Sequence, residues 1–77
     1  MVRLGMPRKQ PLTKPQAGIL QFVRAFLKTR GFPPTRIEIS NYFGWASRNA
    51  AQQQLRAIER KGWIKISHMT SRGISVL

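Results

Sequence analysis

Three glycines, Gly31, Gly44 and Gly62, each follow a run of residues with helical spacing, and this division limits what the chain can form. Glycine adopts without strain the left-handed conformation in which many helices end, so each position suits a helix C-terminus. The helices between them have to be short. The sequence therefore predicts a small, mainly α-helical fold with three helices.

The first helix is predicted to begin at Thr13 and to run to about Arg30. Thr13 suits the N-cap position, and Pro15 falls in the first turn, where its missing N–H is not needed. Apolar side chains recur at helical spacing along this segment, at Ile19, Leu20, Phe22, Val23, Phe26 and Leu27. Pro33 and Pro34 then predict an extended connection.

The second and third helices are predicted from their capping residues. The sequence Thr35-Arg36-Ile37-Glu38 has the pattern of a capping box, so the second helix should start there and end before Gly44. Ser47 is the expected N-cap of a third helix that runs from Arg48 to about Lys61. Trp45, in the turn between the two helices, is predicted to pack in the core.

After Gly62 the spacing of apolar residues changes from about 3.6 to 2, which predicts a β-hairpin. Its strands are residues 63–67 and 72–76, and residues 68–71 form the turn. Trp63 is predicted to join the core, and four aliphatic residues should face the helices: Ile64, Ile66, Ile74 and Val76.

The charge of the chain points to a polyanionic partner. Its 77 residues include 14 Lys and Arg but only 2 Asp and Glu, a net charge of +12, which favours nucleic acid or an anionic membrane surface as partner. With no Cys, one His and two carboxylates, we expect no metal, no cofactor and no catalytic residues, hence no enzyme. No apolar run reaches the roughly 20 residues of a membrane span.

Residues 1–11 and 12–77 are predicted to differ in structure. Residues 1–11 contain Arg3, Arg8 and Lys9 without periodicity, which favours a flexible basic arm. Residues 12–77, with two helices around Gly44, a longer helix before them and a hairpin after them, match a winged helix-turn-helix. Another small helical bundle is the alternative. Of the possible functions, binding to a membrane surface is the least favoured, because the apolar faces of the helices are needed for the core.

The third helix has two distinct faces. Ala51, Leu55 and Ile58 cluster on one side, and roughly 150° away lies a polar face of Asn49, Gln52, Gln53, Arg56 and Arg60. A solvated face usually mixes acids with bases, whereas this one has amides followed by arginines. Amide side chains suit the N6/N7 edge of adenine, and Arg suits guanine or phosphate.

We therefore assign contacts with double-stranded DNA to this helix and its surroundings. Asn49, Gln52 and Gln53 are predicted to read bases, with Ser47 and Arg48 at the helix start binding base or phosphate. Contacts with the DNA backbone are predicted for Arg36, Arg56, Arg60 and Lys61. Arg72, in the hairpin, is predicted either to reach the minor groove or to be solvated. Without the surrounding topology, the glutamines would be ordinary helix-surface residues.

Several motifs resemble one known family. They are Leu12-Thr13, Gly31-Phe32-Pro33-Pro34-Thr35-Arg36-Ile37-Glu38-Ile39, Ser47-Arg48-Asn49-Ala50-Ala51, Arg60-Lys61-Gly62 and Ser71-Arg72-Gly73-Ile74. From Leu12 to Leu77 the chain resembles the N-terminal DNA-binding domain of the LexA repressor family. The resemblance implies a bacterial or phage repressor that binds operators of DNA-damage response genes. By position it implies base contacts at Ser47, Asn49, Ala50, Gln52 and Gln53, and a wing near Ser71 and Arg72.

The chain departs from this family at three points. Gln52 and Gln53 replace two adjacent acidic residues, so the operator is expected to differ. Arg48 stands where proline is common. The sequence ends at Leu77 without the C-terminal domain that dimerises these repressors and cleaves itself, so self-cleavage is not expected.

The expected function is sequence-specific binding of double-stranded DNA in transcription regulation, in the cytoplasm at the nucleoid. One winged helix reads one half-site, so we expect a homodimer on a palindromic site or a partner protein. The alternatives are a non-specific nucleic-acid-binding protein and a winged-helix module that binds another regulator or the transcription machinery.

Overall fold

From residue 9 onwards the chain forms three helices followed by a two-stranded antiparallel hairpin, as the sequence predicts. It was obtained as a computed structural model, which describes residues 9–77. The helices are α1 (Lys14–Arg30), α2 (Arg36–Phe43) and α3 (Arg48–Arg60), and the strands are β1 (Ile64–Ile66) and β2 (Ile74–Val76). Helices α2 and α3 form the helix-turn-helix, and the hairpin is its wing. Most of the predicted basic arm, residues 1–8, lies outside the described residues.

Helix α1 has the bounds that its capping residues predict. The Thr13 hydroxyl accepts a hydrogen bond from the backbone N–H of Gln16, and the Gln16 side chain accepts one from the N–H of Thr13. This reciprocal pair is a capping box, of which the sequence analysis identified only the Thr13 half. The helix ends at Gly31, whose φ of 82° lies in the left-handed region.

The predicted capping box at the start of α2 is also confirmed. The Thr35 hydroxyl accepts from the N–H of Glu38 at 3.1 Å, and Glu38 Oε1 accepts from the N–H of Thr35 at 2.8 Å. Helix α2 ends at Gly44, and α3 begins after Ser47 at the N-cap position. The turn between the helices is therefore three residues, 44–46, plus this cap residue.

The hairpin is shorter than predicted but has the predicted faces. Ile64 pairs with Val76, Lys65 with Ser75, and Ile66 with Ile74. Lys65 and Ser75 are exposed, while the three isoleucines are buried on the helices. Each strand is three residues long, and one further hydrogen bond of 2.7 Å, from the N–H of Ser67 to the carbonyl of Gly73, joins the two sides before the chain turns at His68.

The core lies between the three helices and the inner face of the hairpin. Its buried members are Ile19, Leu20, Val23, Ile39, Ala51, Leu55, Ile58, Ile64, Ile66 and Ile74. Burying one such aliphatic side chain larger than alanine contributes about 1.5–3 kcal/mol. Trp45 and Trp63 are half-buried against this core, which confirms their predicted packing role. Within residues 9–77, no helix combines the length and the apolar character that crossing a membrane would require.

Residues at the two ends of the described chain meet at Trp63. The N–H of Gln10 donates to the carbonyl of Lys61 at 2.9 Å, and the Trp63 indole N–H donates to the carbonyl of Gln10 at 2.7 Å. The N–H of Leu77 donates to the carbonyl of Trp63 at 3.0 Å. The Lys9 ammonium lies 4.9 Å from the centre of the indole ring. The part of the predicted arm that the structure describes is therefore hydrogen-bonded to the domain at Gln10.

Candidate nucleic-acid interface

The polar face of α3 is exposed in the structure. Asn49, Gln53, Arg56 and Arg60 are exposed and Gln52 is half-buried, on the side of the helix away from Ala51, Leu55 and Ile58. A shallow recess of about 230 Å³ lies along this face, lined by Asn49, Gln52, Gln53 and Arg56. The structure thus brings together the amides predicted to read bases. Ala50 is half-buried beside them.

Ser47 is at the N-cap position, but its hydroxyl does not cap the helix. Among the described residues, its side chain makes no hydrogen bond with the backbone of the first turn of α3. Its carbonyl instead accepts a hydrogen bond of 3.0 Å from the hydroxyl of Ser40, a buried residue of α2. The contact holds the start of α3 on α2, and the Ser47 hydroxyl stays available for a ligand.

A second, larger groove lies between the wing and the N-terminal ends of α2 and α3. Its volume is about 340 Å³, and it is lined by Thr35, Arg36, Ile37, Arg48, Asn49, Gln52 and Ser71. The lining contains two arginines and no carboxylate. Arg36 Nε is buried there, and residues 9–77 offer it no hydrogen-bond partner. The groove is suited to an anionic group such as phosphate.

Arg72 makes several contacts within the domain that the sequence did not predict. Its Nη1 and Nη2 atoms donate to the two carboxylate oxygens of Glu38 at 2.8 and 3.0 Å, and Nη1 also donates to the carbonyl of Pro33 at 2.9 Å. The guanidinium lies 4.5 Å from the centre of the Phe32 ring. The Arg72 guanidinium is therefore held against α2 and the segment before it, while 37% of the side-chain surface remains exposed, and its contact with DNA stays a prediction.

This pairing has a marked electrostatic effect on Glu38. The hydrogen bonds from Arg72, and then the one from the N–H of Thr35, lower the pKa of Glu38 from 4.5 to about 2. The same pairing raises the pKa of Arg72. Both groups are thus charged at neutral pH, and the pair is bidentate.

Lys61 is likewise engaged within the domain. Its ammonium donates to Gln16 Oε1 at 2.6 Å, and Gln16 Nε2 donates to Gln54 Oε1 at 3.3 Å. Gln16 is buried, so this network links the start of α1 to α3. Arg56 and Arg60, by contrast, are exposed and make no hydrogen bond or ion pair within residues 9–77. Arg56 and Arg60 are therefore available to contact the DNA backbone, as predicted for them.

The two acidic residues organise the domain, a role that the sequence analysis assigned only in part. Glu38 was identified as a cap but not as the partner of Arg72. Glu59 Oε2 accepts a hydrogen bond from the N–H of Ile66 at 2.8 Å and so joins α3 to β1. The sequence did offer one signal for the ion pair of Glu38. A chain with 14 basic and only 2 acidic residues gives each acid many possible basic partners. Within residues 9–77, His, Asp and Glu form no group of three that could hold a metal ion.

Comparison with known proteins gives consistent matches. The family model described as the LexA DNA binding domain matches residues 9–73. The chain is 46% identical over 68 residues to the LexA repressor of Colwellia psychrerythraea, covering 88% of this chain and 32% of that protein. It is 44% identical over 70 residues to the LexA repressor of Glaesserella parasuis, covering 91% of this chain and 34% of that protein. It is 48% identical over 67 residues to the LexA repressor of Pseudomonas aeruginosa, covering 87% of this chain and 33% of that protein. The chain spans about a third of the length of these curated relatives.

Proposed function

The chain belongs to the LexA DNA-binding domain family, and we propose that it binds double-stranded DNA sequence-specifically as a transcriptional repressor. The observation that carries this proposal is the polar face of α3, where three amide side chains precede two arginines that make no ion pair within residues 9–77. We further propose that its role is in binding and not in catalysis. Its place of action would be the nucleoid in the cytoplasm.

The N-terminal half of α3 is suited to the edges of bases. In a helix-turn-helix, the first residues of the second helix meet the bases of the major groove. Asn49, Gln52 and Gln53 occupy this half, and an amide can both donate to N7 and accept from the N6 amino group in a bidentate contact with adenine. Ser47 contributes a hydroxyl that the helix does not use. Ala50 would contact an apolar group such as the thymine methyl.

The surroundings of this face are suited to the DNA backbone. Arg36 and Arg48 line the groove beside Asn49, together with Ser71 of the wing, and Arg56 and Arg60 continue along α3. Both acidic residues of the chain are occupied by internal contacts, Glu38 with Arg72 and Glu59 with Ile66. No carboxylate lines the groove that Arg36 and Arg48 share, so its lining favours phosphate.

The size of the domain sets how it would occupy its site. A single α3 reads one half-site, and a specific site normally needs two half-sites about one helical turn apart. We propose that two copies bind a palindromic operator, or that one copy binds with a partner protein. The operator should differ from those of relatives with acids at the positions of Gln52 and Gln53.

Selection of bound duplexes from a random pool tests this function. The expected result is a palindromic consensus with adenine at positions facing the amides. Binding that is equally tight to selected and random duplexes, at several salt concentrations, would contradict sequence-specific recognition and favour a non-specific nucleic-acid-binding protein. Failure to retain any duplex would favour a protein-interaction module.

A further inference from the structure

The wing needs support from outside its own strands. The hairpin has three residue pairs, and so short a hairpin is marginally stable on its own. Its buried isoleucines hold the inner face on the helices, but the loop at residues 67–73 extends beyond them. Ser71 in this loop nevertheless lines the groove with Arg48 and Asn49. A contact outside the strands has to keep the loop there.

Arg72 supplies that contact. It follows Ser71 directly, and its guanidinium binds Glu38 in the first turn of α2, 34 residues earlier in the chain. It also binds the carbonyl of Pro33 and lies over Phe32, so one side chain is held by three different groups. The wing is thereby tied to α2, the helix on which α3 is held through Ser40 and Ser47.

The backbone on the other side of Arg72 is also restricted. A Cβ atom at Gly73 would collide with the carbonyl oxygen of Ser67 and would lie 3.0 Å from the carbonyl oxygen of Thr70. The N–H of Arg72 itself donates to the Thr70 hydroxyl at 3.3 Å. The loop therefore closes tightly around the backbone of Arg72, which limits how far Ser71 can move while the Arg72 side chain is held on Glu38.

We propose that Glu38 and Arg72 are positioning residues for DNA binding, whose ion pair holds the wing loop beside the N-terminus of α3. The wing and α3 then meet DNA as one preformed surface, and Arg72 stays on Glu38 in the complex instead of binding phosphate. Preformed geometry favours affinity because the loop does not have to be ordered on binding. This inference rests on the proposed DNA-binding function.

Glu38→Gln is the variant that separates the ion pair from the helix cap. Glutamine can cap a helix from this position, because Gln16 does so at the corresponding position of α1 in the same chain. The variant therefore keeps the cap of α2 and loses the charge and the bidentate acceptor. Arg72→Lys, which keeps the positive charge but not the two-pronged geometry, is the second variant.

Glu59→Gln is the matched control. It removes the same charge, and its amide oxygen can still accept the hydrogen bond from Ile66. It leaves Arg72 and Glu38 unchanged. Since the chain has no cysteine, Met69→Cys places a unique thiol in the wing loop, at a side chain that is 93% exposed. An iron chelate attached to this thiol cleaves the DNA next to the loop.

The measurements are affinity for a selected duplex and the pattern of tethered cleavage. With Glu38 and Arg72 intact, we expect cleavage in one narrow cluster. In Glu38→Gln and Arg72→Lys we expect a broadened, weaker cluster and affinity reduced roughly tenfold, with hydroxyl-radical protection opposite α3 retained. Glu59→Gln should match the parent chain.

Three results would count against parts of this picture. Cleavage and affinity in Glu38→Gln equal to those in Glu59→Gln would overturn the positioning role. Equal loss of protection opposite the wing and opposite α3 would overturn it as well, because it would indicate general destabilisation. If the unsubstituted chain protects no duplex, the proposed function itself fails, and the inference falls with it.

Discussion

The hydroxyl of Ser40, buried in α2, donates a 3.0 Å hydrogen bond to the carbonyl of Ser47, where α3 begins. This bond crosses the turn of the helix-turn-helix, and it fixes where α3 starts relative to α2. Ser40→Ala should lower the free energy of unfolding by about 1 kcal/mol, the usual net contribution of such a bond. Denaturant titration measures this change. Ser75→Ala, at an exposed serine of β2, should have almost no effect.

Asn49→Ala should weaken the preference for the selected sequence while leaving general affinity for DNA in place. Loss of one bidentate base contact costs about 1–3 kcal/mol of discrimination. Fluorescence anisotropy with selected and scrambled duplexes measures both quantities. Gln21→Ala, which removes an exposed amide from α1, is the control. An unchanged ratio of the two affinities in Asn49→Ala would argue against base reading by this residue.

Arg56→Ala should weaken binding to all duplexes about equally. Each phosphate contact contributes about 0.9 to the slope of log K against log salt concentration, so the slope should become shallower by about that amount. Titrations at four or more salt concentrations measure it. Lys28→Ala removes the same charge from the exposed face of α1 and should leave the slope unchanged. Equal slopes for the two variants would be evidence against a phosphate contact at Arg56.

The Glu38–Arg72 pair predicts how folding stability depends on pH. Because the pKa of Glu38 is about 2 in the folded chain against an unperturbed 4.5, its contribution is fully present above about pH 4.5. It should be lost progressively as the pH falls from there to about 2, since the unfolded chain takes up the proton first. Thermal unfolding across this range should show a shallower pH dependence in Glu38→Gln. Glu59→Gln, which retains Glu38, should keep most of the pH dependence of the parent chain.

Gly73→Ala should destabilise the wing because the new Cβ would meet the carbonyl oxygen of Ser67 and lie 2.9 Å from its Cβ. The expected loss in free energy of unfolding is about 1–3 kcal/mol, the usual cost of forcing extra volume into a packed site. Amide hydrogen exchange at Ser67 should accelerate, since its N–H donates to the carbonyl of Gly73. Slow exchange there, as in the parent chain, would mean that the loop accommodates the methyl group.

The helix bounds could be predicted from the sequence because caps are local. Thr13, Thr35 and Gly31 act on backbone groups within four residues, so neighbouring residue types suffice to identify them. Cap chemistry was not fully predictable, since Ser47 has the expected position but not the expected hydrogen bond. The backbone position of Ser47 is fixed by where α3 begins, whereas its side chain can rotate away from the N–H groups of the first turn.

The contacts of Arg72 and Lys61 could not be predicted, because their partners are 34 and 45 residues away. A sequence pattern shows that a basic residue is present but not which acceptor the fold brings to it. The stacking of Tyr42 on Phe22, with ring centres 4.2 Å apart, was missed for the same reason. The two faces of α3 were predictable because they depend only on helical periodicity.

Because Gln10 and Leu77 both hydrogen-bond to Trp63, the two ends of the described chain lie close together. One contact is at the indole N–H and the other at the backbone carbonyl, so residues 10–77 are suited to insertion into a surface loop of a host protein without pulling the host loop apart. Residues 10 and 77 are equally suited to being joined by a short linker in a circular permutant.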